Sequence, residues 1–336
     1  MSLNPATDLR QRARGALLGL AVGDAMGAPA ENLDAAEIRQ RFGVITGFLT
    51  PNPRGTDDTE YAAFVGRHIL QHGLNLTAES LLDAYEAQIL HLDRLRGAGF
   101  SELGTVMNLR RGWSPPVSGH HLHPWSDGVA MRAAVHGVAA AGDLQRAERL
   151  VRTDAAVCAA GEGVEAGVLV AVAVAAALAG GDLADALAAG VGRVEPSCWT
   201  RATVDFALTR PSADGVLERV VNPRYPWTDL APEAVSIGVW AALVHGGEPA
   251  LAIPGAIQLG RDADTTAALA GALCGAVAGE QAIPAEWRRQ IGPLEGRCLP
   301  SVAGVDIAEL AEELAAMGAR HRTGHGGGGH DVGPGN

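Results

Sequence analysis

The stretch on which the fold depends reads Leu259-Gly260-Arg261-Asp262-Ala263-Asp264-Thr265-Thr266, and it continues into a run of small apolar residues. If the segment is extended, alternation places Asp262 and Asp264 on one side, and Thr265 begins the first helical turn. Three oxygen donors then converge at a helix N-terminus, where negative charge is favoured. One aspartate or threonine is enough to cap a helix. The additional carboxylate therefore indicates a bound cation.

A second acidic stretch offers the same kinds of side chain. It reads Gly55-Thr56-Asp57-Asp58-Thr59-Glu60 and precedes an apolar helical pattern. Adjacent Asp57 and Asp58 repel each other unless a positive charge lies near them or one carboxyl is protonated. The chain has no lysine, and the nearby arginines fit surface ion pairs. A hard divalent cation shared by both stretches would neutralise these two aspartates together with Asp262 and Asp264.

Composition indicates a helical protein whose interior consists of small side chains. Of the 336 residues, 47% are hydrophobic but only 4% are aromatic, and the apolar segments are rich in alanine and leucine. Such periodic runs favour helix over strand. The net charge of −12 argues against a nucleic-acid partner, because phosphate binding needs clustered basic residues. We therefore expect a mostly helical protein that does not bind nucleic acid.

Cysteine spacing and hydropathy bear on the location of the protein. The four cysteines are far apart and form no CxxC pair, so neither a sulfur metal site nor a disulfide framework is expected. The first five residues lack the basic and apolar regions of a signal peptide. The most apolar run, Ala166–Gly181, is shorter than a membrane span and rich in alanine, which indicates a buried central helix. We expect a cytoplasmic protein without a membrane partner.

The N-terminal segment predicts a helix that packs closely against a neighbour. Small residues recur every four positions at 15, 19, 23 and 27, which gives a helix over Arg10–Gly27 one glycine face. Asp24 lies within this apolar pattern, where it either caps a helix end or has a functional role. Glu31 follows Pro29 in a loop, where a carboxylate is usually solvated surface.

Apolar periodicity predicts further helices along the chain. They are expected over Thr59–His72, Ala78–Arg96, Ser101–Arg110, Leu144–Val157, Val164–Ala179, Leu183–Val191, Trp199–Leu208, Pro232–Val244 and Ile307–Met317, with another that opens at Ser126. Three histidines just before Ser126 fit a surface or pocket-rim loop better than a zinc site. No fixed-period repeat or linker is evident, so we expect one domain over residues 1–320 and a disordered Gly/His-rich tail over residues 321–336.

Four segments, taken in order, carry a family resemblance. They are Gly15–Glu31, Thr56-Asp57-Asp58-Thr59, Ser126–Arg132, and Asp262-Ala263-Asp264-Thr265 with the helix after it and Ile283–Trp287. In these segments the chain resembles the ADP-ribosylglycohydrolase family, which includes the dinitrogenase-reductase-activating glycohydrolases and the ADP-ribosylarginine and ADP-ribosylserine hydrolases. The resemblance spans roughly residues 13 to 290.

The resemblance implies a fold and a metal centre. The fold would be an all-α, compact, single-domain orthogonal helical bundle with two magnesium (or manganese) ions in a central cleft. The implied metal ligands are Thr56, Asp57, Asp58, Asp262, Asp264 and Thr265. An all-oxygen set without histidine or cysteine suits hard cations on independent grounds. Glu31 would be the catalytic residue, acting on the scissile bond or on its attacking water.

The resemblance also implies a substrate side to the cleft. Its residues would be Ser126, Asp127, Gly128, Met131, Arg132, Gly260 and Arg261. Backbone N–H groups around Gly128, with Arg132, would then bind the anionic diphosphate of the substrate.

Several positions depart from the family pattern. Asp127 replaces an asparagine, Arg261 a glycine and Val129 a serine, while Glu60 follows the first metal motif where uncharged residues are usual. A His-Pro-Asp segment that follows the middle motif in the family is absent, and Cys158-Ala159-Ala160-Gly161-Glu162 occurs instead. The metal side of the pattern is intact, whereas its substrate side is altered. This combination favours a changed substrate over an inactive site.

Together these features predict a metal-dependent glycoside hydrolase that releases an ADP-ribosyl or related ribosyl group. The acceptor is expected to be a small NAD-derived metabolite rather than a modified protein, because Asp127 and Arg261 alter the substrate side. Two alternatives remain open. One is a non-catalytic family member that binds metal and ADP-ribose, and the other is an unrelated helical protein whose acidic clusters only cap helices. The sequence leaves the acceptor, the metal and the oligomeric state undetermined.

Overall fold

The computed structural model describes residues 5–324, and over these residues the chain forms sixteen α-helices and no β-strand. The helices are α1 Pro5–Gly27, α2 Ala35–Phe42, α3 Asp57–His72, α4 Ala78–Gln88, α5 Phe100–Arg110, α6 Ala134–Ala140, α7 Leu144–Cys158, α8 Glu162–Leu178, α9 Leu183–Val191, α10 Trp199–Leu208, α11 Ala213–Val220, α12 Ala231–Val244, α13 Pro249–Ile257, α14 Ala263–Ala278, α15 Ala285–Gln290 and α16 Ile307–Gly324. The all-α prediction is confirmed for the described part of the chain.

Helices α1 and α14 pack with their backbones in direct contact. A β-carbon at Gly19 would lie 2.1 Å from the carbonyl oxygen of Gly271, which is closer than van der Waals contact permits. The same crowding recurs along the interface, where Gly15 meets Gly275 and Gly27 meets Ala263. The predicted glycine face of α1 is therefore confirmed, and the order of these pairs makes the two helices antiparallel.

Helix α8 is the central buried helix that the sequence predicts. Its side chains are buried without interruption from Ala166 to Leu178. Apolar side chains from α1 through α16 join it in one hydrophobic core within the described residues. No helix in that part of the chain is both long and apolar enough to cross a bilayer. The alanine-rich pattern thus reflects close packing of helices around α8.

Several helix boundaries differ from the sequence prediction. Helix α4 ends at Gln88 instead of Arg96, and α6 begins at Ala134 after a 3₁₀ turn that follows Ser126. Helix α16 does not end at Gly318, because that glycine packs against the carbonyl oxygen of Ala139, 2.2 Å from where its β-carbon would lie. The tail predicted to be disordered from residue 321 is helical as far as 324, and residues 325–336 lie outside the described part of the chain. Helices α2, α11, α13 and α15 were not predicted.

The contact between α1 and α14 generates a stability prediction. At a solvent-exposed helix position, Gly→Ala raises the free energy of unfolding by about 1 kcal/mol. A loss of stability in Gly19→Ala would therefore come from the steric clash with α14. We expect Gly19→Ala to lower the free energy of unfolding by about 1–3 kcal/mol, measured by urea denaturation followed by circular dichroism. Gly292→Ala is the control, since nothing lies within 4 Å of its β-carbon position. Equal stability of the two variants would contradict the close packing.

Candidate active site

The two acidic stretches meet in one cavity of about 300 Å³. Its walls include all of the predicted metal ligands, the predicted catalytic glutamate and four of the predicted substrate residues. These are Thr56, Asp57, Asp58, Asp262, Asp264, Thr265, Glu31, Ser126, Asp127, Gly128 and Met131. Stretches about 200 positions apart in the chain therefore form a single site.

Hydroxyl–carboxylate contacts join the two stretches directly. The Thr265 hydroxyl donates to Oδ1 of Asp58 at 3.1 Å, and the Thr56 hydroxyl donates to Oδ2 of Asp264 at 3.4 Å. Asp262 is the N-cap residue of α14, but its side chain makes no capping hydrogen bond. The carboxylate of Asp262 is therefore available to the cavity. The extended conformation predicted through Asp264 is wrong, because α14 begins at Ala263, two residues before Thr265.

Asp24 of α1 fixes the start of α3 and so positions Asp57 and Asp58. Its carboxylate is fully buried and accepts hydrogen bonds from the backbone N–H groups of Thr56 and Thr59 and from the Thr59 hydroxyl. Burial raises the pKa of Asp24 to about 6. Of the two roles considered from the sequence, Asp24 has the capping role, but it caps a neighbouring helix instead of its own.

Backbone pairing holds Glu31 next to the second acidic stretch. The N–H of Asn32 donates to the carbonyl oxygen of Arg261 at 2.9 Å, and the N–H of Arg261 donates to the carbonyl oxygen of Leu33 at 2.8 Å. Carboxylate oxygens of Glu31, Asp262 and Asp264 consequently lie within 4.8 Å of one another. Glu31 is exposed at the mouth of the cavity, whereas the two aspartates are buried. This trio could hold one cation.

The opposite wall is formed by Ser126, Asp127 and Gly128, and a second backbone pairing adds Asp229 to it. The N–H of Asp127 donates to the carbonyl oxygen of Asp229 at 3.0 Å. A side chain at position 128 cannot be accommodated, because its β-carbon would lie 2.3 Å from the Ser101 hydroxyl and 2.5 Å from Oε1 of Glu102. The backbone at Gly128 is therefore bordered by carboxylates.

The carboxyl groups of the cavity strongly disfavour being charged together. Burial, followed by the charges of neighbouring acids, raises the pKa of Asp57, Asp58, Asp127 and Asp264 well above the usual range. Burial, followed by the charge of Asp127, raises the pKa of Asp262 as well. A positive charge within the cavity would reverse these shifts.

Unpartnered oxygens indicate what kind of charge would fit. Buried carboxylate oxygens without a hydrogen-bond donor belong to Asp58, Asp127, Asp229 and Asp264. Oxygen atoms in this number, without sulfur or nitrogen ligands, match the preferences of Mg²⁺ and related hard cations. The residues present therefore fit a divalent metal ion, although no ion is identified.

Sequence reasoning missed two acidic residues that line the cavity, Glu102 and Asp229. Glu102 lies in the first turn of α5, where an acidic residue is common, so nothing in its local sequence marks it. Asp229 follows Tyr225, Pro226 and Trp227, whose proline and aromatic residues predict only a long loop over Asn222–Asp229. The proximity of Asp229 to aromatic residues in a loop was the available signal, because loops positioned by a rigid scaffold commonly carry functional side chains.

Arg132 does not line the cavity, contrary to its predicted role in diphosphate binding. Its side chain is fully buried and forms ion pairs with Asp154 and Glu102, both at 2.9 Å. A further hydrogen bond goes to the sulfur of Cys158. Because these buried partners occupy the guanidinium, we correct the assignment of Arg132 from substrate binding to support of the cavity wall that carries Glu102.

Gly260 and Arg261 lie behind the cavity instead of lining it. Gly260 has a positive φ of 75° and faces the backbone of Leu33, whose carbonyl oxygen would be 2.3 Å from a β-carbon. Arg261 also has a positive φ, 68°, and its guanidinium pairs with the buried carboxylate of Glu233. The expected crowding of a ligand by Arg261 does not occur, because this ion pair draws the side chain away.

Glu60, another departure from the family pattern, also points away from the cavity. Its buried carboxylate accepts backbone hydrogen bonds of 2.7–2.8 Å from Arg297, Cys298 and Leu299. The residue is therefore a support for that loop. The histidines near Ser126 lie outside the α-helices, between the 3₁₀ turns Val117–Gly119 and Asp127–Val129.

Comparison with known proteins places these features in a family. The sequence profile described as ADP-ribosylglycohydrolase matches residues 5–323. An uncharacterized protein of Archaeoglobus fulgidus is 31% identical over 321 aligned residues, which cover 91% of this chain and 95% of that protein. The ADP-ribosyl-[dinitrogen reductase] glycohydrolase of Rhodospirillum rubrum is 42% identical over 71 residues, covering 19% of this chain and 24% of that enzyme.

A solved structure supports the same relationship. It is described as an ADP-ribosylglycohydrolase-related protein complex and superimposes with a TM-score of 0.65 at 25% sequence identity. The superposition covers 93% of this chain and 99% of that one. The likeness therefore extends over nearly the whole chain.

The buried Arg132–Asp154 pair generates a prediction about stability and pH. Burial alone would raise the pKa of Asp154, but the charge of Arg132 and the contact with His136 hold it below its usual range. Asp154→Asn leaves the buried guanidinium without its main partner, so we expect a loss of about 3–5 kcal/mol in the free energy of unfolding. Because the folded pKa is depressed, this difference should stay level from about pH 7 to pH 5 and shrink only in stronger acid.

The control for this measurement is Asp205→Asn, which breaks the exposed pair with Arg201. Its effect should be below about 1 kcal/mol, because solvent screens surface ion pairs. Chemical denaturation at several pH values gives both differences. A similar small effect in both variants would refute the supporting role of Arg132.

Proposed function

The chain belongs to the ADP-ribosylglycohydrolase family, and on this premise we propose that it is a metal-dependent hydrolase of ADP-ribosyl bonds. It would cleave the N- or O-glycosidic bond between the ribose and its acceptor. The observation that carries the proposal is the meeting of Thr56, Asp58, Asp264 and Thr265 in one cavity with Glu31 at its mouth. Helix caps alone would not require unpartnered carboxylate oxygens at this point.

Two magnesium or manganese ions are the proposed cofactors. The residues that would hold them are Thr56, Asp57, Asp58, Asp262, Asp264 and Thr265. When bound, such cations hold ribose hydroxyls and offset negative charge near the scissile bond. The unpartnered oxygens of Asp58 and Asp264 support this assignment, since each is closed to solvent and has no donor.

Glu31 is the proposed catalytic residue. Cleavage of a ribosyl bond passes through an oxocarbenium-like state, so the site must orient the sugar and activate a water molecule. Glu31 is exposed at the mouth, where water can reach its carboxylate, and desolvation raises its pKa above the usual range. Its proximity to Asp262 and Asp264 supports a role for this base beside the proposed ribose site.

The acceptor is proposed to carry a positive charge. No arginine, lysine or histidine is among the residues that line the described cavity, whereas Asp127 and Asp229 provide unpartnered oxygens on its opposite wall. A guanidinium or a pyridinium group would satisfy these oxygens, and an anionic acceptor would be repelled by them. A small NAD-derived metabolite meets this requirement.

Metal binding gives the first test of this proposal. We expect Asp58→Asn and Asp264→Asn each to weaken Mg²⁺ binding at least about tenfold, because each removes a charged ligand. Isothermal titration with Mg²⁺, repeated with Mn²⁺, measures the effect. Asp214→Asn, an exposed acid remote from the cavity lining, is the matched control. Bound metal should also raise the melting temperature of the wild type but not of the two cavity variants. Unchanged affinity in both would rule out the assigned ligands.

Turnover gives the second test. The wild type with Mg²⁺ is incubated with ADP-ribosyl-arginine, ADP-ribosyl-serine and a panel of NAD-derived nucleotides, and released ADP-ribose is quantified. We expect Glu31→Gln to lower kcat by about 10²–10⁴-fold, because the general base is lost. The affinity for ADP-ribose should change little, as measured by titration.

The non-catalytic alternative predicts a different result from the same experiment. Asp127 and the other departures from the family pattern alter the substrate side, and such changes are also compatible with binding that is not followed by cleavage. A binding protein would take up metal and ADP-ribose, would release no product from any substrate in the panel, and would be insensitive to Glu31→Gln. That outcome would replace hydrolysis with binding as the function.

A further inference from the structure

A second cavity, of about 520 Å³, adjoins the acidic one and has the opposite charge. Thr56 and Gly97 line both cavities, so the two share a wall. Three arginines line the second cavity, namely Arg94, Arg96 and Arg297. Arginines from two separate loops thus converge beside a site that has no basic lining residue of its own.

None of these three guanidinium groups has an ion-pair or hydrogen-bond partner among the residues that the structure describes. Many arginines elsewhere in the described residues do have a carboxylate partner, as Arg14 has Glu280 and Arg54 has Glu295. Arg297 contributes only its backbone N–H, which donates to Glu60. In a chain with a net charge of −12, a convergence of unpaired arginines is a local excess of positive charge. Such a convergence is suited to phosphate groups.

Charge repulsion explains why an anion would need a place outside the acidic cavity. The backbone at Gly128, where the family resemblance places the diphosphate, is bordered by Glu102 and by the unpartnered carboxylate of Asp127. Arg132, the cation expected there, is held by Asp154. The acidic cavity of about 300 Å³ is also at the lower limit for a drug-sized ligand. Part of a nucleotide-sized ligand therefore has to extend beyond it.

We propose that Arg94, Arg96 and Arg297 form an anion subsite that binds the diphosphate of a ligand whose ribose lies in the acidic cavity. The identity of the ligand as ADP-ribose rests on the proposed function, whereas the anion subsite itself rests on the arginines. Passage from one cavity to the other runs along Thr56 and Gly97. The two cavities divide the ligand by charge, with its ribose among carboxylates and its diphosphate among guanidinium groups.

The test uses the double variant Arg94→Ala/Arg96→Ala and the single variant Arg297→Ala. The control is Arg149→Ala/Arg289→Ala, which removes two exposed arginines that line none of the described cavities. Isothermal titration measures the dissociation constants of ADP-ribose with Mg²⁺ and of inorganic diphosphate in metal-free buffer. Adenosine, which lacks phosphate, is titrated in parallel. Circular dichroism verifies that each variant is folded.

We expect the double variant to weaken ADP-ribose and diphosphate binding at least about tenfold, with a smaller effect in Arg297→Ala and none on adenosine. If the double variant and its control both bind ADP-ribose as tightly as the wild type does, the anion subsite is overturned and the hydrolase proposal stays intact. A second outcome separates the two proposals. If the wild type binds diphosphate but neither binds nor cleaves ADP-ribosyl compounds, and the double variant loses diphosphate binding, the result supports the subsite and rejects the hydrolase. Absence of binding of either ligand to the wild type would reject both.

Discussion

The close antiparallel contact between α1 and α14 is the constraint from which the site follows. Glycines face backbone along this interface, so neither helix can rotate or slide without a steric clash. Gly27 at the end of α1 meets Ala263 at the start of α14. The loop that leaves α1 therefore delivers Glu31 to Asp262 and Asp264, and Asp24, one turn earlier, reaches the start of α3. One helix interface thereby sets the position of acids from three parts of the chain.

The chain uses buried carboxylates in two physically different ways. Asp24 and Glu60 accept backbone hydrogen bonds at the start of a helix and in a loop, which offset the free energy of burying their charge. Asp58 and Asp264 each keep an oxygen with no donor, although both are buried. An unpartnered buried carboxylate lowers the stability of the folded chain. The hydrogen-bonding pattern therefore separates acids that support the fold from acids that are available to a ligand.

The sequence predicted the features that depend on local pattern. The helices at Leu183–Val191 and Trp199–Leu208 have the predicted limits, because apolar periodicity and capping residues determine them within one segment. The end of α16 was wrong because Gly318 packs against another helix, which a single segment does not reveal. Helix α2 was missed although Asp34 and Glu37 form a capping box, so the signal was present and unused.

The residues of the site likewise divide into those that local sequence predicts and those that depend on contacts between distant segments. The proposed metal ligands belong to compact motifs, and their sequence pattern was enough to name them together as candidates. The role of Arg132 could not be predicted, because it depends on Asp154 from a different helix. Asp229 is held at the cavity by the antiparallel backbone bridge between Ser126 and Leu230, which is likewise invisible in the sequence. Contacts between distant segments thus account for what was missed.

The departures from the family pattern have unequal consequences for the charge of the cavity. Arg261 leaves it unchanged, because Glu233 neutralises the guanidinium outside the cavity. Asp127, in contrast, adds a carboxylate beside Asp229 and Asp262, and its charge raises the pKa of Asp262. With Glu31, Glu102 and the aspartates counted together, the lining carboxylates outnumber the four positive charges that two divalent cations would bring. The surplus has to be met by protons or by a cationic group of the ligand, and a cationic acceptor would meet it at the wall where Asp127 stands.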